Sequence, residues 1–524
     1  MSSRTLFSRS RSVVSVASVA SVAACLALSA SFAVGCAHEA PPPVLAPAPP
    51  PPAPPPPPPD PLGPMPLSSP APMYTPPSPQ VFTAKNGVTV WLLERHTLPY
   101  VAFTLTVPSG SSSDPTGEGG LAMKTAEMLN EGAGSRGAIE LSRAIDALGA
   151  SLDTNANTDE SRVSLTVLKK NLSPAFAIFS DVVSRPRFEP GEWKRLHDIS
   201  VNELTERQSD PDEVAKVVER AALFGPDHPY GHPVEGTLAS AKKWSLPSIQ
   251  RFYKTAWRPD RAVLVAVGDV TRAELTTLVD GDLASWHAPP KTLAPTPLAP
   301  AAPTGPWPTL VLVDRPDAPQ SVIAVIRPGI AAGDPTEPAA VRANVALGGL
   351  FTSRLNQDLR EEHGYTYGAY SRLSFNRGVG AFVASAAVMT DKTADALKAL
   401  VADMNTYAAS GLTEPEVEKT RSQSRAELVE TFEGVDRVAA QLALDASVGL
   451  GPSFQKTSAL RKDTAQKGEL DALAKAHFDP KSAIVVVVGP RAKLDGPLRA
   501  LGYTDIQVRD AEGNVVKPAA PKSK

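Results

Sequence analysis

The sequence predicts an α+β fold with two homologous halves, each a mainly antiparallel sheet with helices packed on one face, which close as a clamshell. Two observations carry this prediction: strand-like and helix-like periodicities alternate along the chain, and the whole pattern repeats at a nearly constant offset. The pair Asp114-Pro115 recurs 220 residues later as Asp334-Pro335, and the apolar run at 262–268 recurs 221 residues later at 483–489. Each copy spans about 200 residues, a size that fits one domain.

The spacing of apolar residues predicts the individual elements of the first half. Alternation between Val101 and Val107 predicts a half-buried strand. A helix from Leu121 is expected to end at Gly132, and an apolar stripe from Ile139 to end at Gly149, because glycine readily adopts the conformation that terminates helices. Further elements follow from the same reasoning: a strand pair at 151–155 and 162–167, a helix opening at Ser173-Pro174, several helices from 190 to 256, a strand at 262–267, and a helix from Thr271.

Proline composition divides the chain. Of 54 prolines, 22 lie between Pro41 and Pro79 and 8 between Pro289 and Pro308, which indicates two semi-rigid linkers. The rest of the chain, with 42% hydrophobic residues overall, has ample material for large cores. A net charge of −3 gives no reason to expect nucleic acid as a partner. The predicted boundaries are a signal peptide at 1–35, a linker at 36–79, an N-terminal domain at 80–288, a hinge at 289–308, a C-terminal domain at 309–510 and a disordered tail at 511–524.

The first 35 residues resemble a bacterial lipoprotein leader. Three arginines precede an acid-free apolar stretch that ends in Ala33-Val34-Gly35-Cys36. We therefore expect lipidation at Cys36, with export and anchoring to a membrane of the cell envelope on its periplasmic side; an ordinary secretory signal with a chance cysteine is the alternative. The other cysteine, Cys25, leaves with the leader, so the mature chain is expected to form no disulfide.

The segment GLAMKTAEM, at 120–128, carries a family resemblance together with the duplication. It resembles the GLAHxxEHM signature of the pitrilysin/insulinase family of zinc metallopeptidases (inverzincins), in particular the shorter branch that includes mitochondrial processing peptidase. In that family two histidines and a downstream glutamate bind zinc, and the glutamate between the histidines is the general base. The resemblance places Met123 and Glu127 at the histidine positions, Ala126 at the base position and Glu203 at the third ligand position.

These residues predict that this chain has lost its own zinc site. One of the three ligands is present and the base is missing, so no metal and no cofactor are expected in this chain. Only two histidines, His228 and His232, are four residues apart, but the prolines and glycine around them predict a turn in which both imidazoles are solvated or hydrogen-bonded. By resemblance to the family's HPYGRP loop, this turn has a structural or substrate-lining role. Glu127 and Glu203 as a residual acidic metal site is a weaker alternative.

A second signature lies in the C-terminal copy, in SRLNQDLREEHGYTYGAYS at 353–371. It resembles the family segment in which an arginine and a tyrosine seven residues apart reach the scissile region, here Arg360 and Tyr367. Gly364 between them suits a helix end, which places Arg360 on the last helical turn and Tyr367 at the head of the next strand. Without the resemblance, the two residues would be a helix-end cation and a half-buried strand aromatic.

Three functional hypotheses follow. In two-subunit members of the family one chain carries zinc and the other the arginine-tyrosine pair, so the leading hypothesis is a non-catalytic subunit of a heteromeric metallopeptidase. Its partners would be a homologous zinc-bearing subunit, an unfolded or extended peptide, and a membrane through the lipid anchor, with no nucleic acid. The alternatives are a structural or peptide-binding lipoprotein without a proteolytic role, and a self-sufficient metallopeptidase with unrecognised chemistry.

Overall fold

The computed structural model describes residues 73–288 and 309–517, all within one compact unit that begins at Ser69. The predicted signal peptide, Cys36, most of the first linker and the hinge at 289–308 lie outside the described residues. Among the helices of the two described ranges, none combines the length and apolarity needed to cross a bilayer.

The first half contains a six-stranded sheet, a small hairpin and a run of helices. Its strands are β1 (Gln80–Thr83), β2 (Thr89–Glu94), β3 (Tyr100–Val107), β4 (Gly132–Ala133), β5 (Arg136–Gly137), β6 (Ser151–Ala156), β7 (Ser161–Leu168) and β8 (Val263–Gly268). Its helices are α1 (Leu121–Leu129), α2 (Ala138–Ala147), α3 (Leu172–Ser184), α4 (Pro190–Arg207), α5 (Pro211–Phe224), α6 (Leu238–Ala241), α7 (Leu246–Ala256) and α8 (Arg272–Asp282).

The second half repeats this plan. Its strands are β9 (Leu310–Asp314), β10 (Gln320–Gly329), β11 (Thr366–Ser374), β12 (Gly380–Met389), β13 (Ile484–Gly489) and β14 (Ile506–Arg509). Its helices are α9 (Glu337–Asn344), α10 (Arg354–Asn356), α11 (Thr393–Ser410), α12 (Glu414–Glu433), α13 (Val435–Ser447), α14 (Phe454–Thr464), α15 (Lys467–Phe478) and α16 (Arg491–Ala500), with π-helical turns at Val345–Gly349 and Gln357–Glu362.

The two sheets confirm the predicted duplication. The first has the order β1-β2-β8-β3-β7-β6, and the second, read from the other edge, has the order β14-β9-β13-β10-β12-β11. Four of the five pairings in the first sheet and three of the five in the second are antiparallel. Strands β8 and β13 fall at the repeat offset seen in the sequence, so the α+β fold with two homologous halves is confirmed.

Each sheet packs one face against helices of its own half. In the first half the core is centred on aromatic rings of β3 and α3, where Phe103 and Phe176 meet edge to face at 5.1 Å. In the second half Phe382 of β12 packs against Phe478 of α15 at 5.0 Å between ring centroids. These apolar cores fix each sheet against the helices of its own half, which carry part of the candidate site.

The opposite face of each sheet is covered by one helix from the other half. Helix α13 lies on the first sheet, where Val438 and Leu442 pack with Trp91 and Val265. Helix α5 lies on β10 and β13 of the second sheet. The prediction of a half-buried strand between Val101 and Val107 is therefore wrong, because α13 buries the face of β3 that carries its threonines.

Three predicted boundaries are also corrected. Helix α3 begins at Leu172 after Asn171, so Ser173 is inside the helix and is not its N-cap. Residues 511–517, predicted as part of a disordered tail, have a defined structure: after β14 the chain turns, and the Glu512 carboxylate accepts a hydrogen bond of 2.6 Å from the Leu238 N–H of the first half. At the other end, Tyr74 of the predicted linker packs on Phe432 at 5.8 Å.

Candidate functional site

The segment that resembles the zinc signature forms α1, and its first turn is firmly positioned. The partly buried Asp114 carboxylate accepts hydrogen bonds from the Gly120 N–H at 2.7 Å and the Ala122 N–H at 2.8 Å, which satisfies two free donors of the helix start. Burial raises the pKa of Asp114 well above its usual value. Gly120 has φ of 98°, and a Cβ there would lie 2.5 Å from the Trp244 ring, so only glycine fits.

The three signature positions on α1 have different surroundings. Ala126 is fully buried, and Met123 is partly buried against the same core. The side chain of Glu127 is 30% exposed, and both its oxygens accept hydrogen bonds from Lys124 Nζ, at 2.9 and 2.7 Å. Lys124 is 3% exposed and lies 5.8 Å from the Trp244 ring centre.

Lys124 was not singled out from the sequence, although its place three residues before Glu127 is a spacing that permits an ion pair on one helix face. Its ammonium holds the one carboxylate that α1 offers.

Glu203 is exposed on α4 and lies within electrostatic reach of Glu127. The pKa of Glu127 is raised, first by burial and then by the negative charges of Glu203 and Glu235, while Lys124 opposes the shift. The assignment of these two positions as ligand positions stays a prediction from the family resemblance.

These residues do not fit zinc. Their donors are one thioether, from Met123, and two carboxylates, one of them paired with Lys124. Zinc in proteins is held by imidazole, thiolate and carboxylate ligands, commonly three or four of them. In residues 73–288 and 309–517 there is no group of three or more His, Cys, Asp or Glu that could hold a metal ion.

The triple variant Met123→His, Lys124→Met, Glu127→His is expected to gain one zinc ion per chain. Positions 123 and 127 lie one helical turn apart, Glu203 is nearby, and Lys124→Met removes an ammonium that would otherwise lose its carboxylate. At a zinc concentration 100-fold above the dissociation constant, folding should gain about 2.7 kcal/mol. Zinc titration with metal analysis and thermal unfolding measure this. Adding Glu203→Gln is the control, and equal zinc affinity with and without it would contradict this placement of the ligands.

The second signature ends a helical turn and begins an edge strand, as the sequence predicts. Gly364 adopts φ of 62° after the turn that contains Arg360, and Tyr367 is the second residue of β11. The guanidinium of Arg360 stacks on Phe351 at 4.0 Å, and its Nη1 lies 3.5 Å from Glu361 Oε1 without a hydrogen-bond acceptor. Phe351 was not predicted as part of this group.

Tyr367 is 88% exposed, which differs from the half-buried aromatic that its strand position alone predicts. It is exposed because β11 is the edge strand of the second sheet and is irregular between Thr366 and Ala369. No hydrogen bond joins Tyr367 to Arg360 among the contacts of the described residues. The two side chains lie at adjoining element ends: that of Tyr367 is exposed to solvent, whereas Nη1 of Arg360 is buried.

The turn at 228–233 joins the two halves. His228 is buried, stacks on Phe224 at 5.0 Å and accepts a hydrogen bond from the Tyr230 N–H. The Tyr230 hydroxyl donates to Asp159 at 3.1 Å and accepts from the Gly378 N–H of the second half at 3.1 Å. Burial lowers the pKa of His232, whose Nδ1 lies 3.1 Å from its acceptor, the Pro233 carbonyl. The turn is thus structural, and His228 is hydrogen-bonded, not solvated.

Comparisons with known proteins agree with this geometry. A family model described as Insulinase (Peptidase family M16) matches residues 89–236, and one described as Peptidase M16 inactive domain matches residues 243–424. The chain is 29% identical over 370 residues to an uncharacterized zinc protease of Mycobacterium bovis, which covers 70% of this chain and 83% of that protein. It is 25% identical over 177 residues to the non-peptidase homolog YmxG of Helicobacter pylori, over 34% of this chain and 41% of that protein.

A solved structure shows the same fold. The peptidase M16 inactive domain from Pseudomonas fluorescens superposes with a TM-score of 0.72 at 23% identity, covering 79% of this chain and 98% of that chain.

Proposed function

Because this chain belongs to the pitrilysin/insulinase family of peptidases, family M16, we propose that it is a non-catalytic subunit which completes the active site of a homologous, zinc-bearing partner. In this proposal Arg360 and Tyr367 contact the peptide that the partner hydrolyses. The substrate is an unfolded or extended peptide, and zinc belongs to the partner.

One observation carries the proposal: Tyr367 and Arg360 lie at adjoining element ends, and each has a side-chain donor without a hydrogen-bond acceptor in the two described ranges. Tyr367 is 88% exposed, and Arg360 is 32% exposed, with its Nη1 buried and not hydrogen-bonded. Large aromatic residues and arginine are enriched at contact surfaces, because each of these side chains has an apolar part and a polar end. A guanidinium and a phenol can both donate to a peptide carbonyl and stabilise the negative charge that develops on its oxygen during attack.

The donor set on α1 supports the same assignment. Met123, Ala126 and Glu127 supply neither a zinc site nor a general base, because the Ala126 methyl group cannot accept a proton, Met123 offers only a thioether and Lys124 holds Glu127. A chain with one signature intact and the other replaced suits a subunit whose chemistry is shared across an interface.

The proposal includes a location. Export through the leader and lipidation of Cys36 would anchor the subunit to a bacterial envelope membrane, facing the periplasm. The proline-rich chain after Cys36 would act as a spacer at about 3.1 Å per residue where it is extended.

A structural or peptide-binding lipoprotein without a proteolytic role is the second candidate. The observation that favours it is the similarity to a Helicobacter pylori protein named as a non-peptidase homolog. In that case Arg360 and the exposed Tyr367 would bind a peptide or a partner without any effect on hydrolysis.

Assays of the chain alone and with its associated homologue distinguish these functions. We expect the isolated chain to contain no stoichiometric zinc and to leave an unfolded peptide intact, and we expect turnover when a homologue with an intact HxxEH motif is added. Turnover by that homologue alone, unchanged by this chain, would favour the second candidate. Stoichiometric zinc in the isolated chain, with hydrolysis abolished by a chelator, would identify a self-sufficient metallopeptidase and refute the proposal.

A further inference from the structure

A cavity of about 560 Å³ lies between α5 and the second sheet, away from Arg360 and Tyr367. Apolar side chains from both halves line part of the cavity: Val217 and Leu223 of α5, and Ile326 of β10 and Val383 of β12. The volume is in the range of small-molecule binding sites. Both halves of this one chain build the cavity, so no second subunit is needed to complete it.

The polar wall of the cavity carries an excess of cations. Four cationic side chains line it, Arg207, Lys216, Arg220 and Arg372, against three carboxylates, Glu213, Glu219 and Glu235. With every group charged, the lining has one positive charge more than it has negative charges. Burial raises the pKa of Glu219 to about 7, so near neutral pH part of its negative charge is lost and the excess grows.

Two of the cations are paired with carboxylates. Arg372 Nη2 lies 3.1 Å from Glu219 Oε2, across the junction of the halves. Lys216 donates to the neighbouring Glu213 on α5. These pairs already compensate their charges, and they leave Arg207 and Arg220 as the cations with donors to spare.

Arg207 has a donor without an acceptor. Its Nη2 donates to the Gly236 carbonyl at 2.7 Å, but its buried Nη1 makes no hydrogen bond, and the nearest carboxylate oxygen, on Glu235, is 3.8 Å away. Burial lowers the pKa of Arg207, which indicates that the surrounding charges do not fully compensate the guanidinium.

Arg220 is paired even less well. Its single hydrogen bond goes from Nη1 to the Thr158 hydroxyl at 3.4 Å, and within the described ranges no carboxylate oxygen lies within 4.0 Å of it. Burial lowers its pKa as well, and Glu235 is the charge that opposes this shift most. A guanidinium has five N–H donors, and partly buried ones normally find acceptors.

We propose that this cavity binds a carboxylate joined to an apolar group, as at the C-terminus of a peptide that ends in an apolar residue. The carboxylate is held by Arg207 and Arg220, and the apolar group packs between α5 and the second sheet. A monoanion matches the one excess positive charge that the lining has when every group is charged, whereas a phosphate dianion would meet the carboxylates of Glu213 and Glu235 and the partly charged Glu219. Neither Arg360 nor Tyr367 lines this cavity, so its ligand site does not depend on the proposed shared active site.

Calorimetric titration of the full chain with a tripeptide ending in leucine tests the proposal. We expect one-to-one binding of the free acid and at least about tenfold weaker binding of its C-terminal amide, because each charge-assisted hydrogen bond contributes more than a neutral one. Inorganic phosphate should bind more weakly than the acid. Equal binding of acid and amide, or tighter binding of phosphate, would overturn the proposed ligand class.

Variants assign the contact to the two arginines. Arg207→Gln and Arg220→Gln should each weaken binding of the acid at least about tenfold. Arg143→Gln, at an exposed position on α2 outside the cavity, is the matched control and should change nothing. Glu235→Gln should tighten binding, since it removes a competing carboxylate, and it keeps the test valid if an arginine variant unfolds. Unchanged binding in Glu235→Gln and in the folded arginine variants would refute the site.

Discussion

In a reconstituted pair with a zinc-bearing homologue, Arg360→Met and Tyr367→Phe should each lower kcat for hydrolysis of an unfolded peptide by about 10²–10³-fold. This is the usual cost of removing one donor to the oxygen that gains charge in the transition state. The effect should fall mainly on kcat, because an interaction made only in the transition state does not contribute to substrate binding. Steady-state kinetics at a fixed subunit ratio measure it.

Stability separates this result from simple damage to the fold. The Tyr367 hydroxyl is exposed and has no hydrogen bond within the described part of the chain, so Tyr367→Phe should change the free energy of unfolding by less than about 0.5 kcal/mol. Tyr370→Phe is the matched control, because Tyr370 is 51% exposed on the same edge strand and should leave kcat unchanged. Full activity in both Arg360→Met and Tyr367→Phe would show that these two side chains take no part in catalysis.

The sequence predicts the repeated sheets well because each depends on local patterns. Glycine readily adopts the positive φ that ends a helix, and Gly149 and Gly364 do so as expected. The exchange of α5 and α13 between the halves could not be predicted, since an amphipathic helix has the same pattern whichever sheet it covers. For the same reason, the threonines of β3 wrongly predicted a face exposed to solvent. Thr106 on that face is buried, and its hydroxyl donates a hydrogen bond to Glu160 at 2.7 Å.

At the candidate site the sequence predicts residue types but not their partners. The replacement of both histidine positions is visible directly, and so is the spacing of Arg360 and Tyr367. The pairing of Lys124 with Glu127 depends on the Trp244 ring, which is distant in sequence and makes burial of the ammonium tolerable. The cavity with Arg207 and Arg220 requires both halves to be in place, so no local pattern indicates it.

The largest expected effect on stability is at a residue that the sequence does not mark. Arg342→Met should lower the free energy of unfolding by about 3–5 kcal/mol, because three carbonyls lose a charged donor, at a cost of about 1–3 kcal/mol for each one left unsatisfied. Arg342 is fully buried, and its guanidinium donates to the carbonyls of Val417 at 2.6 Å, Lys462 at 2.8 Å and Ala465 at 3.0 Å. Methionine fills similar space but leaves these carbonyls without donors. Urea denaturation measures the loss.

The same experiment decides whether geometry or charge matters at this position. The acceptors of Arg342 are carbonyls at the end of α14 and within α12, which carry partial negative charge, and the Thr420 hydroxyl at 3.3 Å. No carboxylate of the described ranges lies within 4.0 Å of Arg342. A planar guanidinium reaches several carbonyls at once and an ammonium does not, so Arg342→Lys should recover less than half of the loss. Arg437→Met, at an exposed ion pair with Glu430, should cost less than about 0.5 kcal/mol. If Arg342→Lys were as stable as the unaltered chain, a positive charge at the helix end would be sufficient, and the hydrogen-bond fork would not explain why an arginine is buried here.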